Sequence, residues 1–166
     1  MEVPGLKFRL APMCRVFRIA SALLLALPVA FAILGLRYQA VLLWTAALLA
    51  AGYAWVWLRM RPSAFVVQPD RLEVLWPLRR ESLPRGAITG ARVVAGRDLK
   101  AELGWAMRVG AGGLWGGFGW LYTQRRGKVR MYISRIDRLV WIEVRDGRPW
   151  LITPDDPDAF VSRLSA

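Results

Sequence analysis

The chain has 166 residues and a formal net charge of +12, from 24 arginines and lysines against 12 acidic residues. It contains no histidine and one cysteine, Cys14. That excludes histidine general-base catalysis, the usual catalytic triads, His-ligated zinc, Cys-cluster metal sites and any internal disulfide, and no cofactor is expected.

Residues 1–18 form a basic N-terminal segment with Lys7, Arg9, Arg15 and Arg18. Residues 19–36 carry no charge, nor do residues 40–58, and only Arg37, Tyr38 and Gln39 separate the two runs. Each run makes a helix of about 27 Å, close to the thickness of a bilayer's hydrocarbon core. The spacing predicts a two-span transmembrane hairpin over 19–61. A cleaved signal peptide is the rival, with Ala30-Phe31-Ala32 as a small-x-small site. Against it, the apolar run continues past Ala32 and a second span follows at once. Cys14 precedes the first run, which argues against a lipoprotein. Pro28 is expected to kink the first helix modestly. Basic residues flank the outer ends of the hairpin and only Arg37 lies in its turn, so both termini are expected to be cytoplasmic, in the inner membrane. Tyr53, Trp55 and Trp57 mark the exit of the second span at headgroup depth.

Residues 62–166 are of one-domain size and read as short strands with turn punctuation. Strands are expected at 64–68, 71–76, 81–83, 88–94, 128–134, 138–144 and 149–153. In 128–134, Val129, Met131 and Ile133 are assigned inward, Lys128, Arg130 and Tyr132 outward. Asp146-Gly147 predicts a type I′ hairpin turn, with positive φ at both positions. Asp156 is placed as the N-cap of a closing helix, with Pro157 at its first position and Phe160, Val161 and Leu164 on its apolar face. Trp76, Trp141 and Phe160 are expected in the core. The glycine- and tryptophan-rich stretch 104–122 fits neither a dinucleotide loop nor a P-loop. It is expected to be a flexible loop, packing its aromatics on the domain or dipping them into the membrane interface. Short strands and one C-terminal helix point to a small barrel with a helical plug.

Several segments then carry a resemblance. They are Gly113-Leu114-Trp115-Gly116-Gly117-Phe118-Gly119, Gly127-Lys128-Val129-Arg130-Met131-Tyr132, Leu139-Val140-Trp141-Ile142-Glu143-Val144, and Trp150-Leu151-Ile152-Thr153-Pro154-Asp155-Asp156-Pro157 running into the helix. With the two-span anchor, they resemble the bacterial pleckstrin-homology (PH) domain proteins. The resemblance implies a strongly bent sheet of about seven strands, capped by the C-terminal helix, and a module that binds lipids, peptides or proteins. In the eukaryotic branch, basic residues around the first hairpin bind phosphoinositides. Arg79 and Arg80 occupy a comparable hairpin here, without the full basic signature.

Two classes of function remain open. One is a non-enzymatic membrane-anchored binding or scaffold module, its PH-like domain engaging anionic headgroups through Arg79, Arg80, Arg125, Arg126 and Lys128, or recruiting an unidentified protein. The other is a membrane-surface enzyme using carboxylates, Asp137 with Glu143 or Asp155 with Asp156, which lack a placed partner. Arg125, Arg126, Lys128 and Arg130 with Tyr122 and Tyr132 also suit weak nucleic-acid binding. Residues 62–166 hold 17 basic and 11 acidic side chains, a dispersed +6. A lipid-facing edge accounts for that charge without a nucleic-acid partner, and none is expected.

Overall fold

Long uninterrupted apolar runs make two helices in the computed structural model, which describes residues 5–165. α1 spans Arg15–Arg37; α2 spans Val41–Trp55 and continues as a π turn over Val56–Met60. Both are long and apolar enough to cross a membrane, and the protein buries only 11% and 6% of their apolar windows. Gly35 lets the helices approach near their connection, because a Cβ there would lie 2.8 Å from Leu43 Cγ. Pro28 lies within α1 and has no N–H for the Leu24 carbonyl four residues back. The Tyr53 hydroxyl of α2 donates to that carbonyl oxygen at 3.0 Å, turning a freed acceptor into an interhelical bond.

Ahead of α1, Leu6–Arg9 forms a strand, β1, that the basic composition of this segment conceals. β1 pairs antiparallel with β2 (Ala64–Val67), Leu6 opposite Val67 and Arg9 opposite Ala64. The helical hairpin is therefore the connection between two neighbouring strands. β3 (Arg71–Leu75) and β4 (Arg80–Pro84) complete an antiparallel sheet in the order β1-β2-β3-β4. A 3-10 turn at Arg85–Ala87 leads into β5 (Ile88–Val94), which has a bulge between Ile88 and Gly90. Then come α3 (Gly96–Leu103), β6 (Ala106–Gly112), β7 (Gly117–Thr123), β8 (Gly127–Ile133), β9 (Leu139–Val144), β10 (Trp150–Ile152) and α4 (Pro157–Ser165). The second sheet runs β5-β9-β10-β8-β7-β6, with β10 and β8 parallel.

The expected seven-strand barrel is thus replaced by two sheets, of four and six strands, with no closed barrel. Across one seam, β1 is followed only by an isolated Leu10–Pro154 bridge. Across the other, β6 stands at the end of the strand order, paired only with β7. The stretch 104–122 is likewise no flexible loop, because β6 and β7 form a full antiparallel hairpin there. Asp146 has φ of +53°, but Gly147 does not take positive φ, so the β9–β10 connection is not a type I′ turn. Instead the Gly147 N–H donates to the Val144 carbonyl at 3.3 Å, centring the turn on Arg145 and Asp146.

One core lies between the sheets and under α4. It contains Phe8, Phe65, Trp76, Phe118, Ile142 and Phe160. Tyr132 belongs to it and is 7% exposed, a correction to its outward assignment. Alternation misassigned it because β8 is covered on both faces. Val129, Met131, Trp141 and Leu151 face a second core, closed by Leu99 and Leu103 of α3 and Phe17 of α1. The segment entering α1 is sewn into this body by buried hydroxyls. Ser134 Oγ donates to the Ala11 carbonyl at 2.6 Å, and the Ser134 N–H donates to Thr153 Oγ1 at 2.9 Å. Asp156 Oδ1 accepts from the Ala159 N–H at 3.1 Å, the expected N-cap. At the far end of α4, the Arg85 guanidinium donates to the Leu164 carbonyl at 2.9 Å.

Phe8 is 6% exposed and meets Phe160 edge-on at 5.2 Å, whereas Leu6 on the same strand is 49% exposed. Phe8→Ala is expected to lower the stability of the full chain in neutral micelles by about 3–5 kcal/mol. Leu6→Ala should stay within about 0.5 kcal/mol. Denaturant titrations followed by tryptophan fluorescence check both.

Candidate functional site

Register in the β6–β7–β8 meander decides which side chains meet. Met107 lies opposite Tyr122, and Tyr122 opposite Lys128; Val109 lies opposite Trp120, and Trp120 opposite Arg130. The next row, Ala111, Phe118 and Tyr132, is covered by the four-stranded sheet, but the first two rows extend beyond it. Trp120 consequently gathers three cations. Lys128 Nζ lies 4.4 Å from a ring centroid, and the guanidinium carbons of Arg130 and Arg148 lie at 4.9 and 5.1 Å.

Beside Trp120 opens a cavity of about 320 Å³. Arg59 and Met60 enter it from the end of the second helix, and Trp76 and Arg79 from the β3–β4 connection. Trp120, Arg130 and Tyr132 come from the second sheet, with Gly110 and Gly119 between. Those two glycines are cross-strand partners with φ of +138° and +127°. A Cβ on Gly110 would lie 2.3 Å from the Phe118 carbonyl oxygen, so only glycine permits this approach. The walls are tied together: Trp76 Nε1 donates to the Met60 carbonyl at 3.0 Å, and Arg79 stacks over Trp76 at 4.7 Å. Glu81 pairs with both Arg79 and Arg130. Burial pushes the Tyr132 phenol above its ordinary pKa while the charges of Arg130 and Arg79 pull against it, so it is a neutral hydroxyl at physiological pH.

The tip of the β6–β7 hairpin is clamped to α1. Ser21 Oγ accepts from the Trp115 N–H at 2.7 Å, and lies 3.0 Å from the Gly113 carbonyl oxygen and 2.6 Å from that of Phe17. Trp115 meets Trp57 edge-on at 4.8 Å. The glycine-rich tip thus packs on the helical hairpin, one turn beyond Arg18.

The five residues singled out for lipid contact fall in three places. Arg79 lines the cavity and Lys128 stands over Trp120 at its edge. Arg80 is exposed at the start of β4. Arg125 and Arg126 lie in the β7–β8 turn, tied instead toward α3. Arg125 donates to the Ala101 carbonyl at 3.1 Å, and Arg126 pairs with Glu102 and, at 3.4 Å, with Glu143. Arg92, and after it Arg126, holds the Glu102 carboxyl below its usual pKa. Sequence reasoning missed Arg59 and Arg148 and placed Arg130 only in a basic run. The available signal, Trp120 beside Arg130, needs the β7–β8 register to be seen.

The weighed carboxylates have structural partners. Asp137 pairs with Arg135, Glu143 accepts from Trp141 Nε1 at 2.7 Å, and Asp155 accepts from the Asp156 N–H at 3.1 Å. Among the described residues no cluster of three His, Cys, Asp or Glu side chains is placed to hold a metal. A smaller cavity of about 240 Å³ under α3 is floored by Leu121, Met131 and Leu151 of the second core.

The described residues form a two-sheet β domain with a cationic and aromatic face, carried on an apolar helical hairpin. The chain belongs to the bacterial PH domain family, whose model matches residues 63–166. No curated protein and no solved structure gives a significant match. Family membership supports a non-enzymatic binding role. β1, both long helices and the cavity residues Arg59 and Met60 lie outside the matched span.

Ser21→Ala removes the acceptor of the Trp115 N–H. Amide exchange at 113–116 is expected to quicken by about 5- to 150-fold, for a loss of about 1–3 kcal/mol locally. Exchange mass spectrometry of the full chain checks this, with half-buried Thr45→Ala of α2 as the unaffected control.

Proposed function

We propose that the chain is a non-enzymatic binding module anchored in the inner membrane. Residues 19–36 and 40–58 cross the bilayer, both termini lie in the cytoplasm, and the PH domain is presented to anionic headgroups or to a protein partner. The observation that carries this is the pairing of β1 with β2, which holds the two ends of the helical hairpin at one sheet edge. Both helix ends therefore open on the same side, as Arg15, Arg18, Arg59 and Arg61 against the lone Arg37 require for a cytoplasmic domain. The bare apolar surface of both helices supports the same reading, because it needs lipid to cover it.

Reporter fusions at residue 38 and at the C-terminus are expected to give opposite readings, exported and cytoplasmic respectively. An exported C-terminus overturns the orientation.

Arg79, Arg80, Arg125, Arg126 and Lys128 are assigned to headgroup contact, each contributing on the order of 1 kcal/mol near an anionic surface. Arg126 contributes less, since Glu102 and Glu143 already share its charge. Amides at 122–128 should be better protected from exchange in phosphatidylglycerol-containing nanodiscs than in phosphatidylcholine ones. That protection should fade above physiological salt, where the Debye length falls below about 8 Å. Arg125→Glu with Arg126→Glu should remove it, and persistence in the double variant would make this turn a solvated edge.

A further inference from the structure

We propose that the 320 Å³ cavity is a composite site for the phosphate of an anionic membrane lipid, with Arg59 of the helical hairpin and Arg79 and Arg130 of the two sheets as its donors. The inference rests on the membrane-anchored reading above and names the ligand of one site within it.

Charge is the first ground. Three guanidinium groups line the cavity, and Lys128 and Arg148 crowd the Trp120 ring at its edge. Against these five cations, Glu81 is the one carboxylate that pairs with any of them among the described residues. Like charges held this close repel, and a bound anion relieves the repulsion. Chemistry is the second ground. Guanidinium forks match phosphate oxygens bidentately, and a neutral Tyr132 hydroxyl adds a donor that is not itself charged. Shape is the third. Gly110 and Gly119 put bare backbone in the lining, where their positive φ disfavours any side chain, while Trp76, Trp120, Met60 and Val109 offer apolar surface for the glycerol end of a headgroup.

Position selects a lipid over a soluble phosphate. Arg59 follows Trp57 by two residues and stacks on Trp55 at 5.0 Å, so the cavity opens where the second span leaves the bilayer. The anchor itself supplies part of the wall, and Arg59 and Met60 lie outside the family match.

The test uses the full chain in neutral maltoside micelles, offered short-chain phosphatidic acid, phosphatidylglycerol and phosphatidylcholine in equal amounts, and read by native mass spectrometry. One anionic lipid should be retained at least about tenfold over phosphatidylcholine. Arg59→Gln, an exposed change outside both cores, should reduce that preference about tenfold. Arg79→Gln with Arg130→Gln and Glu81→Gln, which leaves no carboxylate unpaired, should abolish it. Arg97→Gln on α3 should change nothing. Thermal melts confirm that each variant is folded. Equal retention of all three lipids by the parent chain, or full preference in the Arg59 and triple variants, overturns the site. A parallel titration with inorganic phosphate separates the sources: displacement of the lipid at equal concentration would assign the cavity to a soluble phosphate and overturn the lipid. Failure here with the expected reporter topology sinks the site alone. An exported C-terminus with lipid retention intact sinks the orientation and leaves the site standing.

Discussion

Four residue pairs between β1 and β2 set the geometry of the whole molecule. Paired strands lie about 5 Å apart, so the two ends of the helical hairpin cannot swing on flexible tethers. The buried hydroxyls of Ser134 and Thr153 hold the chain just before α1, and the Ser63 N–H donates to the Leu75 carbonyl at 2.6 Å just after α2. From that fixed origin α1 presents Ser21 to the β6–β7 tip, and the end of α2 presents Met60 to Trp76 and Arg59 to the cavity. Helices and sheets form one body at this junction.

The cations of the domain divide by how they are neutralised. Around α3, Arg92 and Arg126 share Glu102, and Arg126 also reaches Glu143. These are exposed pairs, of the kind worth about 0–1 kcal/mol. Around Trp120 the balance is reversed, because Lys128 and Arg148 have an aromatic face and no carboxylate partner among the described residues. A cation over a partly exposed ring gains about 0.5–1 kcal/mol, which offsets only part of the repulsion among neighbours at one ring. Five cations thus meet one carboxylate around Trp120 and its cavity, whereas Arg92 and Arg126 beside α3 share two.

Much of the architecture was legible because the signals were long or strongly patterned. The two apolar runs, the alternation of 71–75, the strand at 88–94 and the Asp156 cap all read directly, and Trp76, Trp141 and Phe160 are buried as expected. β1 was hidden because four residues, Leu-Lys-Phe-Arg, read as a basic flank until their partner strand is known. β6 and β7 were hidden because Gly110, Gly112, Gly117 and Gly119 interrupt their alternation with residues that seldom favour strands. Tyr132 misled because alternation presumes one wet face, and β8 has none at that end. The candidate site was only partly visible. Arg79 and Lys128 were found from local basicity, but Arg59, Arg130 and Arg148 join them only through strand register and the return of the second helix.

The order of synthesis gives the β1–β2 pairing a further meaning. A ribosome makes Leu6–Arg9 first and Ala64–Val67 only after both long helices, so β1 waits unpaired, with Phe8 uncovered, until the hairpin is complete. Where the helices enter a bilayer, an insertion that crosses only once strands β1 and β2 on opposite sides. The sheet then lacks its edge, and Phe160 lacks the ring that packs against it. For a chain whose helices cross a bilayer, completion of the domain therefore requires both crossings, since a single one leaves the Phe160 side of the core uncovered.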